Sequence, residues 1–79
     1  MDQPLNPAIS TTVSQVLGIE PQEIQLATDF HLDLNASPED LNHIKNHLEQ
    51  QLDITLPAFE PGHPATVADL QTLVDDSLL

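Results

Sequence analysis

The chain has 79 residues, 39% of them hydrophobic, and its thirteen Asp and Glu face one basic side chain, Lys45, for a formal charge of −12. Proteins bind nucleic acids and anionic membrane surfaces through Lys and Arg, so the composition argues against both partners. Because the chain has no Cys, it offers no disulfide, thiolate metal site or cysteine nucleophile. It shows neither a signal peptide nor an apolar run long enough to cross a bilayer, and we expect a cytoplasmic location.

The length predicts a single small domain over residues 1–79, with residues 1–6 and 76–79 frayed. The aromatic residues are Phe30 and Phe59 alone, so the core must be mainly aliphatic. The excess of acid favours a protein partner with a basic surface patch. The simpler interpretation, that the charge only keeps a small domain in solution, stays open beside it.

A first helix is predicted to begin at Asn6-Pro7, where Asn caps free backbone amides and Pro suits the first helical position. Its apolar positions recur at helical spacing. They are Ile9, Val13, Val16 and Leu17. Gly18 follows, and glycine favours the left-handed backbone at which many helices end.

Residues 19–36 form a long connection between the first helix and the second. Loops of this length are uncommon in small domains, so the apolar residues scattered along it predict a strap packed against the core. These residues are Ile19, Ile24, Leu26, Phe30, Leu32 and Leu34. One helical turn is predicted at residues 21–24.

The second helix is predicted to begin at Ser37, a capping residue followed by Pro38 at the first helical position. Two acids, Glu39 and Asp40, occupy the first turn, where negative charge is favourable. The narrow apolar stripe of this helix consists of Leu41, Ile44, Leu48 and Leu52. The region ends at Leu56-Pro57.

Prolines and Gly62 interrupt the next segment and leave room for only a short helical turn at residues 58–60. Thr66 then resembles another cap, ahead of an amphipathic last helix. These elements predict an all-α, four-helix bundle with a long first loop. The expected core is Ile9, Val13, Val16, Leu17, Ile24, Phe30, Leu34, Leu41, Ile44, Leu48, Leu52, Val67, Leu70 and Val74.

Taken in order, these elements resemble acyl carrier and peptidyl carrier proteins, without a gap over residues 9–75. Residues 16–20 resemble the end of the family's first helix, and Asp33-Leu34 matches its Asp-Leu before the modified serine. Asn35 stands where a glycine is usual, and Asn also tolerates a left-handed backbone. Residues 48–57 resemble the acidic exit of the family's second helix and its apolar-Pro stop. The resemblance implies a carrier-protein fold.

The resemblance also implies that a serine at the start of the second helix carries 4′-phosphopantetheine, and here the chain departs from the family. In the gapless register the family's Asp-Ser-Leu becomes Ser37, Pro38 and Glu39. Proline has no hydroxyl to accept the phosphodiester. A one-residue deletion in the loop would make Ser37 the modified serine instead, but sliding the helix by one residue turns its apolar stripe by about 100°. We therefore favour the gapless register.

The leading interpretation is a carrier-like domain that has lost phosphopantetheine attachment, holds no cofactor and acts as a protein-interaction module. The alternative is an unusual acyl or peptidyl carrier protein with 4′-phosphopantetheine on Ser37. A serine ahead of a proline and two acids also has a purely structural role, as a helix cap.

The resemblance implies docking to a basic protein surface through the second helix and the loop before it. The partner would be an enzyme of fatty-acid, polyketide or peptide biosynthesis, and the domain itself a monomer. The residues expected to contact the partner are Asp33, Glu39, Asp40, Glu49 and Asp53. Such binding should weaken with salt.

A more distant alternative is metal binding by His43 and His47, whose spacing of four residues lets both rings reach one ion on a helix. Glu39, Asp40 and His63 could add ligands, although two exposed histidines are more often merely solvated. A catalytic base needs a pocket and a perturbed pKa, which so small a domain hardly offers. We therefore expect no enzyme activity.

Overall fold

The computed structural model of the protein describes residues 4–60 and 62–78, and within these it has three α-helices and one short 3-10 helix. The helices are α1 at Pro7–Leu17, α2 at Pro38–Leu52 and α3 at Val67–Leu78, and the 3-10 helix lies at Pro21–Glu23. Residues 1–3, Pro61 and Leu79 lie outside the described residues. The predicted fraying of the two ends therefore falls partly on residues that the structure does not describe.

The all-α class is confirmed for the described residues, whose only β-type pairings are isolated bridges between Asp29 and Thr66 and between Glu60 and His63. No helix in that part of the chain has both the length and the apolar character needed to cross a membrane.

The count of four helices is not confirmed. The predicted turn at residues 21–24 exists as the 3-10 helix, but residues 58–60 form no helix. Glu60 and His63 instead exchange two backbone hydrogen bonds, with N–O distances of 3.0 and 2.9 Å. Gly62 allows this tight turn because its φ of 82° lies in the left-handed region.

The first helix has the predicted ends. The side chain of Asn6 accepts a hydrogen bond from the Ala8 amide at 2.9 Å, and Pro7 occupies the first turn. At the other end, Gly18 has a φ of 70° and donates its amide to the Ser14 carbonyl at 2.8 Å. This left-handed residue satisfies a carbonyl that would otherwise lack a partner in the last turn.

The long first loop packs as the predicted strap. Ile24 and Phe30 are buried, and three backbone hydrogen bonds tie residues 26–30 to the start of α3. They join the Phe30 amide to the Ala65 carbonyl, the Val67 amide to Thr28 and the Ala68 amide to Leu26, at 2.9–3.0 Å. The loop that leads into α2 is thereby fixed on the body of the domain.

The last helix is capped as predicted. The Thr66 hydroxyl accepts from the Asp69 amide at 3.2 Å, and the Asp69 carboxylate accepts from the amides of Ala65 and Thr66. A buried polar residue that the sequence did not predict, Gln71, bonds the Asn6 amide at 2.7 Å and the Pro4 carbonyl at 3.1 Å. Gln71 thus holds the segment before α1 against α3.

Most of the predicted core is buried between the three helices and the strap. The predicted residues that are buried are Ile9, Val13, Ile24, Phe30, Leu41, Ile44, Leu48, Val67, Leu70 and Val74. The other four, Val16, Leu17, Leu34 and Leu52, are only partly buried and pack against this core. Three of them, Val16, Leu17 and Leu52, lie in the last turn of a helix. Ala36 and Leu56 are buried in addition.

Candidate functional site at the start of the second helix

The segment that leads into α2 is a tightly bonded turn. One carboxylate oxygen of Asp29 accepts from the amides of His31 and Leu32, at 2.8 and 2.9 Å. The Asp29 amide in turn donates to the carboxylate of Asp33 at 2.8 Å. The amides of Leu32 and His31 stabilise the charged carboxylate and so hold the pKa of Asp29 below its ordinary value. The charge interaction with the His31 side chain lowers this pKa by a smaller amount.

The last residues before the helix are equally constrained. Asn35 has a φ of 51°, the left-handed backbone that its type predicted. Ala36 is buried and donates its amide to the Phe30 carbonyl at 2.7 Å. The side chain of Ala36 therefore anchors the junction in the core, and the position of the next residue, Ser37, follows from it.

Ser37 is the cap of α2 and belongs to a capping box. Its hydroxyl oxygen accepts from the Asp40 amide at 3.2 Å, and the Asp40 carboxylate accepts from the Ser37 amide at 3.1 Å. The residue is exposed, so its hydroxyl is open to solvent at one end of this box. The predicted cap is therefore confirmed.

Pro38 is the first residue of α2 and is exposed beside Ser37. Its ring suits this position because the amide it lacks has no partner within the helix. The second-helix register agrees with the predicted stripe, since Leu41, Ile44 and Leu48 are buried.

The five acids predicted to contact a partner differ in how free their carboxylates are. Glu39 and Asp53 are exposed, and Asp53 ends α2 with a left-handed φ of 53°. The carboxylates of Asp33 and Asp40 accept hydrogen bonds from backbone amides of the junction. These two side chains hold the loop together as well as carrying charge.

Glu49 is the most strongly bound of these acids. One of its oxygens accepts from the Leu56 amide at 2.8 Å, and the other lies 3.4 Å from the Lys45 ammonium. The Leu56 amide, and to a smaller extent Lys45, lower the pKa of Glu49. Glu49 therefore closes the loop after α2, a role that helical periodicity does not predict because its partner lies beyond the helix.

The two histidines of the candidate metal site take no part in the hydrogen bonds described for the junction. His43 and His47 are exposed on α2. Across residues 4–60 and 62–78, no group of three or more His, Asp or Glu side chains is placed to hold a metal ion. His63 takes part instead in the turn with Glu60 through its backbone.

A cleft of about 260 Å³ opens beside the junction and was not predicted from the sequence. Its apolar lining comes from Pro38, Leu41 and Phe59, of which Leu41 is buried and Phe59 half-buried. Its remaining lining residues are His31, Asn42, Glu60 and Gly62. No sequence pattern links Phe59, Glu60 and Gly62 to the start of α2, since a helical turn is the structure that the sequence predicts at residues 58–60.

Two comparisons with known proteins bear on this site. A search of curated proteins gives no match. The family described as "phosphopantetheine attachment site" matches residues 7–59, which is more than half of the chain and includes the whole junction from Asp29 to Asp40. Members of this family are carrier domains that normally hold 4′-phosphopantetheine and interact with biosynthetic enzymes. By this match, the chain belongs to the phosphopantetheine attachment site family of acyl and peptidyl carrier proteins.

Proposed function

We propose that this domain keeps the carrier-protein fold but has lost the attachment of phosphopantetheine, and that it acts as a protein-interaction module. The observation that carries the proposal is Pro38 at the first position of α2, where the gapless register expects the modified serine. A proline ring has no oxygen that can form the phosphodiester bond. The residue at this position does not fit the family's prosthetic group.

The packing and hydrogen bonds of the junction support the gapless register. Ala36 is buried, and its amide and that of Asp33 both bond carbonyls within the same turn, at 2.7 and 3.0 Å. Placing Ser37 where Pro38 now lies, which is the position that the gapless register gives to the modified serine, would pull Ala36 out of the core or rotate the buried stripe of α2. Either change would expose apolar surface that is now buried.

The capping box gives a second reason against attachment on Ser37. A phosphodiester on its hydroxyl oxygen would place a negative charge beside the carboxylate of Asp40, which is bonded to the Ser37 amide. The exposed Glu39 follows in the same turn. Like charges so close together repel, and this repulsion opposes the attraction of a helix N-terminus for an anion.

The alternative is a working carrier modified on Ser37. Its support is family membership together with an exposed hydroxyl at the start of α2. Attachment would require the hydroxyl to leave the Asp40 amide or to share it with the phosphodiester. Both functions use the same fold, so chemistry must separate them.

Docking in our proposal uses the acidic side chains of α2, of its C-terminal end and of the loop before it. Glu39 and Asp53 carry exposed charge, while Asp33 and Asp40 add charge whose position is fixed by backbone amides. A basic protein surface complements this face, and an enzyme of fatty-acid, polyketide or peptide biosynthesis is the partner kind that we propose. The domain itself performs no catalysis and binds as a monomer.

Intact-mass measurement tests the proposal. The protein is incubated with coenzyme A and a broad-specificity phosphopantetheinyl transferase, beside a known carrier protein as a positive control. We expect no added mass, because Pro38 offers no hydroxyl and Ser37 lies in an acidic capping box. A gain of one phosphopantetheine group that disappears in Ser37→Ala would establish the alternative.

A further inference from the structure

The cleft beside Pro38 is a feature of this face that the proposed function has not yet used. Pro38, Leu41 and Phe59 form its apolar part, and His31, Asn42 and Glu60 form its polar rim. Pro38 belongs both to this cleft and to the position where the family's prosthetic group would be attached. A partner group that enters the cleft would therefore lie next to the position where family members carry phosphopantetheine.

The volume of the cleft limits what it can hold. At about 260 Å³ it is smaller than the roughly 300–1,000 Å³ of pockets that bind drug-sized molecules. A cavity of about 150 Å³ is nevertheless large enough for benzene. The size therefore suits one aromatic side chain.

The charge around the cleft determines which residues can flank that aromatic side chain in the partner. Glu60 lies on the rim and the exposed Glu39 follows Pro38. Lys45, the chain's single Lys or Arg, is paired with Glu49. The rim therefore attracts positive charge on the incoming segment and repels acidic segments.

We propose that the cleft receives one aromatic side chain, with arginine or lysine on either side of it, from a partner protein; this rests on the proposed function and names the partner's chemistry. Leu32, the next residue in the chain after the lining residue His31, is 87% exposed, and in this proposal it is the second apolar side chain that the partner contacts. Aromatic and arginine side chains are the groups that most often dominate the energy of protein interfaces.

A pair of synthetic peptides tests this inference. The first has two arginines, glycine, phenylalanine, glycine and two arginines, and the second has serine in place of the phenylalanine. Each is titrated into isotopically labelled protein while the backbone amides are followed by NMR, at an ionic strength of about 0.01 M, where screening is weak. We expect the phenylalanine peptide to bind at least about tenfold more tightly and to shift the amides of Leu41, Asn42 and Phe59.

Two variants on the exposed side of α2 locate the binding. Asn42→Trp should fill the cleft and weaken the phenylalanine peptide by about tenfold, to the level of the serine peptide. Asn46→Trp makes the same change one turn further along, outside the cleft lining, and should leave binding unchanged. Both positions are exposed, so neither change removes core packing.

The acidic rim has its own pair of variants. Glu60→Gln should weaken both peptides by roughly two- to fivefold, the range expected for an exposed charge pair. Asp76→Asn removes an equal charge from α3, outside the cleft lining, and should have a smaller effect.

Three results would overturn the inference. The first is equal affinity of the protein for the two peptides, and the second is unchanged affinity of Asn42→Trp for the phenylalanine peptide. The third is saturation by N-acetyl-phenylalanine amide, which carries no arginine, at the same concentration as by the phenylalanine peptide. None of these depends on the mass measurement, since the titration uses the unmodified protein. A phosphopantetheine gain on Ser37 would refute the proposed function. The peptide titration would still decide whether the cleft binds an aromatic side chain.

Discussion

Individual carboxylates in this domain hold loops in place as well as carrying charge. Glu49 bonds the Leu56 amide across the end of α2, and Asp29 bonds two amides in the turn before α2. Each of these contacts favours the ionised form, and both pKa values are lowered. The acidity of the chain therefore contributes to folding at these positions.

Removal of the Glu49 charge should alter how stability depends on pH. Because the pKa of Glu49 is lowered in the folded state, its contribution is present above the unfolded value of about 4.3 and is lost as pH falls through the folded value. Glu49→Gln should be less stable than the natural protein at pH 7, and the difference should shrink at pH values below 4. Urea unfolding across this pH range measures the effect.

A matched control is Glu39→Gln, the same chemical change at an exposed position on the same helix. We expect a smaller loss at pH 7 for this variant, since only a favourable interaction with the helix N-terminus is removed. If the two variants differed equally from the natural protein at every pH, the assigned role of Glu49 would be wrong.

At the scale of elements, helix ends determine where this chain turns. Left-handed residues end α1 at Gly18 and α2 at Asp53, and another, Asn35, precedes α2. Each changes the direction of the chain at a helix end. At Gly18 and Asp53 the residue's own amide also donates a hydrogen bond to a carbonyl in the last turn of the helix. Asn and Asp tolerate this backbone better than other residues with a side chain, and glycine tolerates it best.

Gly18→Ala should therefore destabilise the domain by about 1–2 kcal/mol through the backbone alone. An added Cβ at Gly18 meets no atom within 4 Å, so no steric clash contributes. The free energy of unfolding, measured in urea, gives the loss. Gly18→Asn should lose less than Gly18→Ala, and an equal or larger loss in the Asn variant would contradict the backbone explanation.

The sequence was sufficient where a signal lies within a few residues. Caps at Asn6, Ser37 and Thr66 and the exit at Gly18 predicted the helix ends, and periodicity predicted most buried positions. It was insufficient where distant segments meet. The bonds of Gln71 to the segment before α1 are an example, because no local pattern pairs residues 65 positions apart.

The same distinction applies to the site. The cap at Ser37 and the proline after it lie in consecutive residues and were predicted, whereas the cleft depends on Phe59 lying beside the start of α2. A helical turn had been expected at residues 58–60. Glu60 and His63 instead pair through two backbone hydrogen bonds, and residues of this segment line the cleft with the start of α2.

For the whole molecule, the formal charge of −12 acts against folding, since it concentrates like charges on a small surface. Screening by NaCl should relieve this repulsion, and Tm should rise by a few degrees between low salt and about 0.5 M. The ion pair of Lys45 with Glu49 would weaken under the same conditions, but a single half-buried pair on one helix contributes little.

Calorimetry at pH 7 measures this change. A second series near the sequence pI of 4.1, where the net charge is close to zero, should show a smaller increase with salt. A Tm that stayed constant or fell with NaCl at pH 7 would show that repulsion is not the main electrostatic effect.

The central claim is that Pro38 has replaced the attachment serine, and restoring the family's Asp-Ser-Leu tests it most directly. A triple variant, Ser37→Asp with Pro38→Ser and Glu39→Leu, keeps a capping residue and supplies a hydroxyl at the first position of α2. Both proteins are incubated with coenzyme A and the transferase, and their intact masses are compared. We predict a gain of one phosphopantetheine group on the triple variant and none on the natural protein. An equal gain on the natural protein, or no gain on a folded triple variant, would contradict the account.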